Sequence, residues 1–193
     1  MMSVRRLPLL VAALALTAVA STACTSANGT EGKNYVAGYG VVREIAVGDR
    51  KAPVELSGDT LAGDHLDLAD LRGQVVVVNV WGAWCGDCLK EAPMLVDAAD
   101  ELPAGSTMLG IDIRDYAKDA PLGFQRSYEV PYPSIYDPGS ETLLNIPAPF
   151  NPRETPSTVV LDRTGRVAAL IRGVLPSKLT LLDLVQSVVD EGA

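Results

Sequence analysis

Histidine is almost missing from this chain. His65 is the only one among 193 residues, and cysteine occurs three times, as Cys24, Cys85 and Cys88. A zinc site built on C-x-x-C normally needs a second Cys or His pair. Only Cys24 and His65 are left to supply it, so zinc is short of ligands, and no metal or cofactor is expected. Surplus positive charge is missing too. Sixteen Lys and Arg stand against 24 Asp and Glu, a formal net charge of -8. That balance opposes a basic face for nucleic acid or anionic lipid, so no nucleic-acid partner is expected. Acidity of this kind keeps a domain soluble and names no partner. Internal repeats are absent as well, which sets aside solenoid architectures. Disorder throughout is excluded, because apolar residues make up 48% of the chain and the charged fraction is ordinary.

What is present begins with a leader. Arg5 and Arg6 give a positive start, Leu7 to Ala20 an apolar stretch, and small residues follow. Residues 1–23 therefore read as an export signal. The stretch is short against the roughly 20 apolar residues of a bilayer span, although an uncleaved anchor is the alternative. Ala18-Val19-Ala20 fits ordinary signal cleavage. Ser21-Thr22-Ala23-Cys24 resembles a bacterial lipobox, with Ser21 where Leu is usual, and lipidation of Cys24 would account for the odd cysteine. Without the leader, 14 basic residues face 24 acidic ones, a net charge of -10. Residues 24–40 are rich in Ser, Thr, Asn and Gly and read as a flexible tether. Residues 41–193 are long enough for one domain with a sizeable core.

Within that domain, Val41 to Val47 alternates weakly and suggests an edge strand. Gly58-Asp59 and Gly63-Asp64 break Ala52 to Asp67 into two short strand-like pieces. Val75 to Trp81 is apolar and β-branched apart from Asn79, the pattern of a central strand covered on both faces. A helix is expected from Cys85 to about Glu101, interrupted at Pro93. Thr107 to Asp112 reads as a second buried strand, Ala117 to Tyr128 as a helix and Tyr132 to Tyr136 as a short extended piece. Residues 145–156 hold four prolines and make an irregular loop. Ser157 to Leu161 and Arg166 to Val174 form a hairpin about Asp162-Arg163-Thr164-Gly165. Pro176-Ser177-Lys178 opens a final amphipathic helix. The order specifies an α/β sandwich with a mixed sheet.

The informative stretch is Trp84-Cys85-Gly86-Asp87-Cys88. Two cysteines three apart at a helix start share one side, within disulfide reach. Cys85 lies where helix N–H groups are unpaired and the dipole is positive, which favours the thiolate, the attacking species. Cys85 is then the solvent-reachable nucleophile, and Cys88 resolves the mixed disulfide. A purely structural bridge is the alternative, although one closing so small a loop stabilises little.

Gly73 to Glu91 (GQVVVVNVWGAWCGDCLKE) resembles the thioredoxin superfamily, and most its exported TlpA/ResA branch. Leu56 to Gly73, Leu109 to Asp112, Tyr132 to Gly139 and Thr155 to Thr158 extend the resemblance over roughly residues 50–190. It implies a thioredoxin-like fold: a central mixed β-sheet flanked by helices, with an N-terminal β-hairpin extension. It implies that Cys85 and Cys88 are the redox pair and that Trp81 and Trp84 pack around them. Pro93 would kink the active-site helix. Pro156 would be cis, and the Thr155 backbone would be free to pair with an extended substrate. Glu91, one turn past Cys88, would tune thiol reactivity. Trp84, Gly86, Asp87, Thr155 and Pro156 would meet the substrate. Thioredoxins proper carry a buried acid where Asn79 stands, and Asn is usual there in the TlpA/ResA branch.

Asp87 replaces the Pro usual before the second cysteine. Its charge should disfavour the Cys85 thiolate and make a weaker oxidant, which points to a reductant. Relatives of this kind reduce disulfides in apocytochrome c or other exported proteins. The implied partners are therefore substrate protein thiols and disulfides, a membrane electron donor of the CcdA/DsbD type, and the membrane itself through lipid on Cys24. A Sco-like copper binder would want C-x-x-x-C and a downstream histidine. A peroxidase relative would need a Pro-x-x-x-Thr-x-x-Cys pocket. A non-catalytic interaction module would not need both cysteines.

Overall fold

The computed structural model describes residues 34–36 and 41–192. They belong to one unit, Glu31–Ala193. The expected leader and Cys24 lie outside the described residues. β1 (Asn34–Val36) and β2 (Val41–Glu44) come first, followed by β3 (Ser57–Asp59), β4 (His65–Asp67) and a 3-10 turn at Leu68–Leu71. β5 (Val75–Trp81) leads into α1 (Gly86–Asp100). β6 (Ser106–Ile113), α2 (Asp119–Tyr128) and β7 (Ser134–Asp137) follow, then a 3-10 turn at Thr142–Asn145. β8 (Ser157–Leu161), β9 (Val167–Arg172) and α3 (Lys178–Asp190) complete the chain.

Seven strands form one mixed sheet in the order β1-β2-β9-β8-β5-β6-β7, and β3 and β4 form a separate hairpin. β5 runs parallel to β6 and antiparallel to β8. All seven β5 residues are buried, which is why the strand lacks the alternation of a half-exposed one. Its odd and even positions serve two cores. Val76, Val78 and Val80 pack with Leu56, Leu68, Leu143 and Phe150, from the hairpin side and the irregular segments. Val75 and Val77 pack with Leu95 and Ala98 of α1 and with Leu181 and Val185 of α3. Trp81 shares that second face and meets Phe124 of α2 at 4.5 Å between ring centroids. The three α-helices thus gather on one face of the sheet.

Several local expectations are corrected. Asn34–Val36 pairs with β2, so the stretch read as a tether supplies a strand. β2 is also bound to β9 and is therefore not an edge. α1 starts at Gly86 with Cys85 as its N-cap, and it runs through Pro93 without a break. Pro93 cannot donate to the Leu89 carbonyl, but buried Ala92, Leu95 and Ala98 hold the helix on the sheet. α2 begins at Asp119 rather than Ala117, which places Pro121 in its first turn, where a missing N–H costs nothing. Arg50 joins the two ends of the domain by bonding Asp162 at 3.0 Å, Glu191 at 2.7 Å and the Ile45 carbonyl at 3.1 Å. Among the described residues no helix is long and apolar enough to cross a membrane.

Candidate redox site

β5 delivers Gly82-Ala83-Trp84 to the start of α1. Gly82 is required there, because a Cβ would run into the Trp84 indole and would lie 2.9 Å from the Ile113 carbonyl. Cys85 has extended backbone and caps the helix: its sulfur accepts the Cys88 N–H at 3.1 Å. Cys85 and Cys88 form a disulfide with Cα atoms 5.2 Å apart. When the bond opens, the same N–H is in place to stabilise a Cys85 thiolate. Cys85 is only 5% exposed in the disulfide form, which corrects the expectation of a solvent-reachable sulfur. Leu61, Trp81 and the two cysteines make a small apolar cluster, joined by Leu122, Phe124 and Tyr136.

Trp84 is half-exposed at 48% and anchored by its indole N–H on the Ile113 carbonyl at 2.9 Å. Trp81 is buried and donates to the Ser134 hydroxyl at 3.2 Å. Gly86 is exposed, with open space where a side chain would project. Asp87 is exposed and pairs with Lys90 at 2.6 Å, so the charge read as acting on Cys85 is partly offset by an ammonium. The same pairing holds the Lys90 ammonium above its ordinary range.

Glu91 is 1% exposed. The Asn79 amide donates to its Oε1 at 3.1 Å and the Leu175 N–H to its Oε2 at 2.9 Å. Burial pushes the carboxyl up to about 7, although both hydrogen bonds pull it down; the Asp87 charge adds to the rise. Asn79 also reaches the Thr158 hydroxyl at 3.4 Å. The strand position that would carry an acid in a thioredoxin proper therefore carries the donor, and the acid comes from the helix. Thr155–Pro156 is cis. Pro156 is buried and its carbonyl accepts from Gly173 at 2.9 Å. Among the described residues no backbone hydrogen bond is made by Thr155. A groove of about 570 Å³, lined by Ala83, Leu89, Ala120, Phe124, Ser127 and Tyr128, opens beside the active-site loop.

The Redoxin family model matches residues 46–186, from before the hairpin into α3. The chain belongs to the Redoxin family. Within it, this redoxin is TlpA/ResA-like and of the thioredoxin superfamily, and its relatives are thiol–disulfide oxidoreductases. It is 25% identical over 118 residues to the thiol-disulfide oxidoreductase ResA of Bacillus subtilis, covering 61% of this chain and 63% of that protein. The match thus spans less than two thirds of that relative. It is 32% identical over 131 residues to the thiol:disulfide interchange protein DsbE of Pseudomonas aeruginosa, covering 66% and 68%. A secreted thiol-disulfide isomerase from Corynebacterium glutamicum has a similar structure, with a TM-score of 0.68 and 34% identity over 77% of this chain and 92% of that one.

Three features of the redoxin's site were not read from its sequence. Asp115 accepts the Ala83 N–H at 2.7 Å through Oδ2 and so holds the active-site loop. Arg114, with a left-handed φ of 59°, lays its guanidinium 5.8 Å from the centre of the Trp84 ring. Asp112, at the end of β6, is buried beside them. The available signal was an acid closing a buried apolar run, at a position that strand alternation aims at Trp81's face of the sheet. A second cis peptide, Ala148–Pro149, was legible only as a proline-rich stretch. His65 is exposed on β4 and bonds Asp59 at 2.9 Å. Among the described residues no three His, Cys, Asp or Glu are grouped to hold a metal ion.

Proposed function

We propose that this redoxin reduces disulfides in exported proteins outside the cytoplasm, through Cys85 and Cys88. The observation that carries this reading is a Cys-x-x-Cys disulfide capping a helix, with a buried carboxyl one turn behind it. The Cys85 thiolate attacks a substrate disulfide, forms a mixed disulfide and releases the substrate's second sulfur. Cys88 then attacks the Cys85 sulfur, closes the protein disulfide and releases the first. Two electrons pass to the substrate. Glu91, on the Cys88 side of α1, titrates near neutrality and so takes the Cys88 proton as that thiol attacks.

Thr155 offers unpaired backbone to an extended substrate strand beside cis Pro156, and Trp84, Gly86 and Asp87, exposed at the helix start, meet the same substrate. The neighbouring groove accepts apolar side chains. The return electrons come from a membrane donor of the CcdA/DsbD type, and lipid on Cys24 keeps the domain near it. Exported apocytochrome c is one such substrate. The secreted relative and the expected leader support export. Strong oxidants of this class owe their power to a stabilised thiolate, whereas here Asp87 and Glu91 set two carboxyls along the first turns of α1.

Equilibration with glutathione or dithiothreitol buffers tests the direction of flow. A Cys85–Cys88 potential near roughly -270 mV is expected, and one near roughly -120 mV would identify an oxidant instead. A Cys88→Ser chain should accumulate mixed disulfides with exported substrates, visible as bands that dithiothreitol removes. Their absence would count against protein substrates.

A further inference from the structure

Asp112 is 0% exposed at the end of β6 and, taken as a carboxylate, has no donor for either oxygen. The sheet register sets it opposite Trp81 on one side and Tyr136 on the other. The charged groups facing it are carboxyls, Asp115 within hydrogen-bonding reach and Asp137 of β7. Asp137 is committed elsewhere, accepting from the Glu141 and Thr142 N–H groups and the Thr142 hydroxyl. The neighbouring cation, Lys118, lies over the Tyr136 ring and donates to the Thr60 carbonyl.

Asp115 is engaged on the active-site side, where it takes the Ala83 N–H. Ile113 takes the Trp84 indole N–H and Arg114 covers the Trp84 ring. Residues 112–115 therefore cradle the loop that ends at Cys85. A buried carboxyl with no donor is satisfied only by donating its own proton. We propose that Asp112 is a positioning residue of the redox centre: as a neutral acid it donates to Asp115, which fixes the Oδ2 that holds Ala83 and hence the loop presenting Cys85. Burial, with Asp115 and Asp137 adding to it, pushes the Asp112 carboxyl up to about 9, so the proton is in place at neutral pH. This role rests on the thiol–disulfide chemistry of Cys85 and Cys88.

The rate at which the reduced full chain reduces glutathione disulfide, followed against pH, tests it. Wild type should lose rate above about pH 9 as Asp112 ionises. Asp112→Asn keeps a donor for Asp115, so it should stay within about twofold of wild type at neutral pH and lose the alkaline fall. Asp112→Val should be about fivefold to tenfold slower with an unchanged circular dichroism spectrum. An Asp112→Asn chain as slow as Asp112→Val, or one that keeps the alkaline fall, overturns the proposal. If Asp112→Val does not fold, the Asp112→Asn pH profile decides alone. An inactive wild type would remove the redox reading and this role with it. An active wild type whose profile Asp112→Asn leaves unchanged would remove only the role of Asp112.

Discussion

Two buried carboxyls flank the same redox loop and are treated differently by the fold. Glu91 reaches from α1 to two donors, the Asn79 amide and the Leu175 N–H. Asp112 lies at the end of β6 with other acids for company and no donor. Both are desolvated, and desolvation favours the neutral form. The donors hold Glu91 to about 7, while their absence lets Asp112 rise to about 9. With desolvation the largest cause in both, the donors on Glu91 and the neighbouring carboxyls Asp115 and Asp137 beside Asp112 sort the two into a group that exchanges protons near neutrality and one that keeps its proton.

Breaking the Glu91 side should have the largest effect. Glu91→Ala leaves two buried donors without an acceptor and should cost about 3 kcal/mol in urea unfolding. Glu91→Gln should flatten the pH dependence of stability. The folded carboxyl titrates near 7 against an ordinary 4.5, so between those values the folded state holds a proton that the unfolded chain has lost. Glu91 should therefore make wild-type stability fall as pH rises through that window, by about 3 kcal/mol, and recover as pH drops, in addition to the fall that Asp112 contributes. A Glu91→Gln curve with the same slope would place the titration elsewhere. On the other side, Asp112→Asn should make the chain more stable to urea at neutral pH, because the wild-type carboxyl, ionised at about pH 7 in the unfolded chain, must take up a proton on folding and the amide need not. The smallest effect belongs to Lys90→Ala. Its exposed pair with Asp87 adds little to stability, and its removal should slow alkylation of reduced Cys85 by roughly twofold as Asp87 acts unopposed.

Local features of the fold were legible where one strand or turn decides them. The β-branched run Val75–Trp81 announced a buried central strand, and Ser157–Leu161 falls on the residues expected. The cysteines at the end of that run announced the helix start. Pro156 was expected to be cis from family resemblance, and it is. What escaped joins distant parts of the chain. Leu175 meets Glu91 across 84 positions, and nothing near either residue signals the other. Asp115 and Ala83 are 32 apart and meet only because β6 lies parallel beside β5. Asn34–Val36 has the composition of a linker and is a strand because β2 offers it a free edge.

The most direct test of the central claim is the acceleration of insulin reduction by dithiothreitol, measured from about pH 5 to about pH 9 with wild type and Glu91→Gln. Wild type should accelerate the reaction, with a rise in rate centred near pH 7 that Glu91→Gln lacks. No acceleration by wild type, or a Glu91→Gln profile that overlays it, would contradict a thiol pair served by a buried carboxyl.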